Sequence, residues 1–119
     1  MDQSIKDYIS LIGIRLINPD EFVMSPSKNL KSISMTISWN GNKSEINNAL
    51  HQLESAILDK ICGIDFSKHF GYNSSEIYSI YGQRIKLFDS MVHIIDPLKK
   101  LQNNFYERIF DFTESLEDL

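Results

Sequence analysis

Cysteine is almost missing from this chain of 119 residues: the one thiol, Cys62, can close no internal disulfide and offers at most one thiolate to a metal. That excludes a disulfide-stapled secreted scaffold and fits a reducing cytoplasm. No Cys-x-x-Cys, paired-His or His-Glu-x-x-His cluster occurs, so neither a structural nor a catalytic metal site is expected. Glycine is sparse as well, and Gly63 and Gly71 lie too far apart, without a following Lys-Ser or Lys-Thr, to cradle a phosphate. No long apolar run exists. The N-terminal one is interrupted by Gly13 and Arg15, which argues against a membrane span, and no small-residue cleavage site follows it. Basic residues are the minority, 12 against 16 acids, for a net charge of −4. Affinity for a phosphate backbone comes from clustered Lys and Arg, so nucleic acid is an unfavourable partner and a basic protein a favourable one.

What is present is bulk for a core. Hydrophobic residues make up 42% of the chain and charged ones 24%, the balance of a globular domain. No repeat or linker divides it, so residues 1–119 read as a single helical domain. The expected fold is mainly α, a bundle of about four helices. One short strand or hairpin near residues 31–39 is left open.

The clearest patterns lie at the end of the chain. Ile77, Ile80, Tyr81, Phe88, Met91, Val92 and Ile95 recur at helical spacing after the capping serines Ser74 and Ser75. Gly82 marks a place for a kink, and Asp96-Pro97 ends the pattern in an elbow. From Leu98 a second stripe continues through Leu101, Phe105, Ile109, Phe112 and Leu116. On the far side of that helix Glu107, Asp111, Glu114 and Asp118 follow at spacings of four, three and four, forming an acidic ridge. An ordinary solvated face is the plain explanation. Like charges at this spacing repel, however, and acids near a helix C-terminus oppose its dipole, so the ridge points to a basic partner. Phe110 and Tyr106 fall between stripe and ridge, where each serves as an interface anchor or as peripheral core. Arg84 sits in the middle of an apolar stripe, so it snorkels out to solvent, pairs with a carboxylate on a neighbouring helix, or serves an anion or partner in a cleft.

Earlier in the chain, Ile5, Tyr8, Ile9, Ile12 and Leu16 fit a first helix, although Ile12, Ile14 and Leu16 also alternate as in a strand. Ile33, Met35, Ile37 and Trp39 alternate with Ser and Thr and predict a strand, which must pair near Gly13 or with another chain. A helix from Ser44 carries Ile46, Ala49, Leu50, Leu53, Ile57 and Ile61, ending by Gly63. His51, His69 and His93 have no nucleophile, base and orienting group at usable spacing, so no catalytic set is assigned.

One resemblance attaches to the C-terminal patterns. Arg84-Ile85-Lys86-Leu87, then Leu101-Gln102-Asn103-Asn104-Phe105-Tyr106-Glu107, resembles the mannitol-repressor-like helical members of the HEPN superfamily, over Ser75 to Phe112. In active members an Arg-Asn pair precedes a His in an R-x4-H arrangement that cleaves RNA. Gln102 stands here at the Arg position and Glu107 at the His position, and Asn103 agrees. The resemblance implies a helical bundle, often dimeric, that has lost nuclease activity. The expectation is therefore a cytoplasmic, non-enzymatic protein-binding module without cofactor. Its sharpest form is an immunity or antitoxin protein that neutralises a basic nuclease toxin. A HEPN-like ribonuclease using Arg84 with His93, or a degenerate HEPN-like dimeric regulator, is the alternative, and homodimer formation is left open.

Overall fold

A computed structural model of the protein describes residues 4–110. Asp111, Glu114 and Asp118 of the acidic ridge, with Phe112 and Leu116, lie outside the described residues. The described chain is mainly α, with four helices and a two-stranded antiparallel hairpin. A short 3-10 turn, Ile5–Tyr8, leads into β1 (Ile9–Ile17), which pairs with β2 (Ser32–Trp39). Four helices follow: α1 (Lys43–Ile57), α2 (Ser74–Tyr81), α3 (Gln83–Ile95) and α4 (Asn104–Phe110).

The strand at Ile33 to Trp39 thus finds its partner within the chain, with Gly13 opposite Thr36, and the N-terminal helix gives way to β1. The alternation of Ile12, Ile14 and Leu16 prevails because β2 requires ladder partners for its backbone groups. Both ends of the hairpin are tied to the helices. At the open end Asn40 N–H donates to Tyr8 O at 2.7 Å, next to the start of α1. At the closed end the long connection is folded by Asp20, whose carboxylate accepts from Phe22 N–H and the Ser25 hydroxyl.

That connection docks on the helical body through Arg84, Cys62 and Gly63. Cys62 Sγ donates to Pro26 O at 3.5 Å, and a Cβ on Gly63 would stand 2.3 Å from Pro26 Cα, so glycine is required for this approach. Arg84 donates from Nη1 to Ser25 O at 3.0 Å and Val23 O at 3.5 Å, from Nη2 to Cys62 O, and from Nε to Tyr81 O. Its guanidinium also lies 4.9 Å from the Tyr81 ring centroid. Among the described residues its hydrogen-bond partners are backbone carbonyls rather than the carboxylate of an ion pair.

The core forms where α2, α3 and α4 meet the loop before α2. Ile77 and Ile85 are fully buried, with Ile64, Phe70, Tyr72, Tyr81, Ile109 and Phe110 around them. Asparagines rather than serines begin two helices: Asn42 and Asn73 each build a capping box with Glu45 and Glu76. Gly82 adopts φ +58 and ψ −136, a conformation costly to any residue with a Cβ, and at this place marked for a kink the helical pattern divides into α2 and α3.

Glu54 is the unexpected member of α1. Its carboxylate is buried and accepts Gly71 N–H at 2.9 Å from both oxygens, holding the loop before α2 to the helix. Burial pushes this carboxyl above its ordinary range, the Gly71 bond opposes the rise, and nearby Glu76 adds to it. Because the folded state favours the protonated form, the group's contribution to stability is full below the ordinary Glu pKa. It falls as pH rises through the raised value. Glu54→Gln is expected to flatten that part of the melting-temperature profile, which lies above the ordinary Glu pKa. Thermal unfolding followed by circular dichroism across this range checks it, and an unchanged slope would contradict it.

No helix among the described residues is long and apolar enough to cross a membrane.

Candidate functional site

The corner between α3 and α4 is shaped by Asp96. Its buried carboxylate accepts Lys100 N–H and Leu101 N–H, both at 2.8 Å, and so wraps the chain after Pro97 into a turn. Lys99 takes a positive φ of 53 within that turn. The helix expected from Leu98 therefore starts only at Asn104, where Asn103 Oδ1 accepts Tyr106 N–H at 2.9 Å as a cap.

This detour opens a concavity of about 140 Å³ lined by Asp89, His93, Lys99, Gln102, Tyr106, Glu107 and Phe110. The Tyr106 hydroxyl donates a short hydrogen bond to Asp89 Oδ1, joining α4 to α3. Burial raises the Tyr106 phenol far above its ordinary pKa, and the hydrogen bond and charge of Asp89 raise it further. The ring is a neutral donor throughout the physiological range. His93 Nδ1 lies 2.8 Å from Asp89 O and 3.6 Å from its Oδ1. Donation of an Nδ1 proton to that carbonyl leaves Nε2 as the acceptor in the neutral ring. Among the described residues no partner meets Gln102 Nε2, a buried donor at the wall of the concavity.

Three of the residues expected to face a partner, Tyr106, Glu107 and Phe110, come together here. Glu107 is exposed at the rim. Of its two expected places Phe110 takes the core one, as the floor of the concavity: it is 8% exposed, stacked on Tyr106 at 4.3 Å between centroids and on Phe88 at 5.8 Å. Asp89 and Gln102 complete the wall. Asp89 carries a sequence signal in retrospect, since an acid one turn before His93 on the same helix face is placed to hold that ring.

Arg84 does not line this concavity. It stands nine residues before His93 on α3, about 13 Å away along the helix axis, and its donors are spent on carbonyls. The pairing of Arg84 with His93 in one site is not formed within the chain. Gln102 and Glu107, the positions that the HEPN resemblance aligns with Arg and His, do share the concavity, whereas Asn103 is engaged as a helix cap. A second, shallower depression is lined by Gly41, Lys43, Ile46, Asn47 and His69, where His69 Nε2 meets Asn47 Oδ1 at 3.3 Å. His51 and Ser55 lie exposed on α1. No group of three or more His, Cys, Asp or Glu among the described residues is placed to hold a metal ion. In comparisons with known proteins, the chain matches no family model and no curated protein sequence.

Proposed function

We propose that this protein is a non-enzymatic protein-binding module of the cytoplasm, and that the α3–α4 corner receives a basic side chain of its partner. The observation that carries the reading is the grouping of Asp89 and Glu107 around one small concavity with Tyr106 in its wall and Phe110 in its floor. Its volume is below the roughly 300 Å³ at which small-molecule sites begin, but it admits the head of an arginine or lysine. Carboxylates pair with a guanidinium, and aromatic faces attract it. Leu98 and Leu101, chain neighbours of Lys99 and Gln102, are highly exposed and give the corner an apolar rim.

In its sharpest form the module is an immunity or antitoxin protein that covers the basic active site of a nuclease toxin. The ridge of Asp111, Glu114 and Asp118 extends the acidity of Glu107 along the sequence and would speed encounter with such a partner. A second reading, a degenerate HEPN-like regulator, is favoured by the presence of Gln102 and Glu107 in one concavity.

The test is an NMR titration of the labelled protein with an arginine-rich peptide. Shifts are expected to concentrate at Asp89, Gln102, Tyr106 and Glu107, and Glu107→Lys is expected to weaken the binding about tenfold. Small shifts spread evenly over all acidic residues, unchanged in the variant, would contradict the reading. Ribonuclease activity abolished by His93→Ala would favour an enzyme instead.

A further inference from the structure

The hairpin carries a surface that the corner does not use. Register places Ile12 opposite Ile37, Ile14 opposite Met35 and Leu16 opposite Ile33, so six aliphatic side chains share one face. That face is bare: Ile14 is 68% exposed, Leu16 86% and Ile33 69%, with Ile12 and Met35 each at 47%. The opposite face is mixed, with Arg15, Ser32, Ser34, Thr36 and Ser38 beside Leu11 and Ile17 near its two ends, so the continuous aliphatic surface lies on the first face alone.

Charge narrows the choice of cover. Arg15 is the one charged residue in β1 and β2, and it belongs to the opposite face. The apolar face is therefore neutral, which gives a basic partner nothing to pair with and sets no like charges against each other when two copies meet. Among the described residues the sheet has two strands, so neither strand has a second ladder partner there. Adding a strand at an edge would extend the bare face without covering it. Packing two faces together covers both, at the usual sheet-to-sheet spacing of about 10 Å.

Area supports the same arrangement. At their observed exposures the five outermost side chains offer on the order of 600 Å² per chain, or ~1,200 Å² for a pair, the lower bound of stable specific interfaces. We infer that two copies of this chain dimerise by stacking the apolar faces of their hairpins around a two-fold axis, with the α3–α4 corner of each left open for its partner. Ile14, Leu16, Ile33 and Met35 form the centre of the contact. The symmetry makes every substitution count twice.

Sedimentation of the full chain across a concentration series tests this. Wild type is expected to show a reversible monomer–dimer equilibrium at micromolar concentration, and Ile14→Lys or Leu16→Lys to raise its dissociation constant about a hundredfold. Both side chains are exposed in the protomer, so helical circular dichroism should be unchanged; having two variants guards against one that does not fold. Ile94→Lys, at the exposed end of α3, should leave the dimer intact. A wild type that stays monomeric overturns the inference. So does a dimer that survives both hairpin substitutions or is lost with Ile94→Lys.

Discussion

Replacing Arg84 with Met is expected to lower the stability of the folded chain by about 3 kcal/mol, seen as a fall in melting temperature of roughly 10–15 °C. Methionine keeps the apolar stem of the side chain but removes every donor. The carbonyls of Val23, Ser25 and Cys62 are then left facing a partly buried space without their partner. These three bonds join α3 to segments 59 to 61 residues away in sequence, or 22 for Cys62, so they hold the closed end of the hairpin to the helical body. Arg84→Lys should recover only part of the loss, because an ammonium cannot reach several carbonyls in the fixed plane of a guanidinium. A change within about 0.5 kcal/mol, typical of a solvated surface position, would contradict this role. The measurement is chemical denaturation of wild type and both variants under identical conditions.

The second large effect is expected at Asp96. Asp96→Ala removes the acceptor of two backbone N–H groups at 2.8 Å and should cost about 2 kcal/mol, the upper range for the loss of a capping carboxylate. Its consequence is local as well as global. Lys99 and Gln102 occupy the turn that Asp96 gathers, so releasing it should blur one wall of the concavity. Amide exchange at Lys100 and Leu101 is expected to accelerate well beyond the change in global stability, while Ile77 and Ile85 in the core follow only the global change. Asp96→Asn should be intermediate, since its single carbonyl oxygen can replace one of the two acceptors. Equal protection of Lys100 and Leu101 in wild type and Asp96→Ala would show that the turn is held by something else.

These two residues mark how far the sequence could be read. The apolar stripe of α1 and part of the C-terminal pattern were legible because helical spacing leaves few alternatives for Ala49, Leu50, Ile77 and Ile109, whereas in α3 Ile85 is buried and Met91 and Ile95 of the expected stripe are exposed. Arg84 was conspicuous within its stripe, but spacing alone does not say that distant carbonyls would satisfy it. The segment Ile5 to Leu16 fits both periods at once, and only the demand of β2 for a partner decides in favour of a strand. Asn42 and Asn73 compete as caps with the serines that follow them, and the Glu three residues after each Asn is the signal that decides for the asparagine. The late start of α4 was hidden because the Leu98 to Leu116 stripe continues through a turn that Asp96 imposes through its side chain. The burial of Glu54 and of Asp89 was illegible for a related reason: an acid on a helix is ordinarily solvated, and burial of these two depends on residues far along the chain, Gly71 and Tyr106.

The same limit applies to the candidate site. Tyr106, Glu107 and Phe110 were singled out from their helical phase, and that phase does bring them to one place. Phase could not reveal that Phe110 is the floor, nor that α3 contributes Asp89 and His93 opposite them. The acidic ridge and the concavity are parts of one proposal, joined at Glu107.

The most direct measurement of that proposal is calorimetric titration of wild type and Glu107→Lys against the proteins encoded by its immediate genomic neighbours, at low and at high salt. The account predicts tight binding to a basic neighbour that weakens as salt screens the charges and is largely lost in Glu107→Lys. Binding that is indifferent to both salt and this substitution would contradict it.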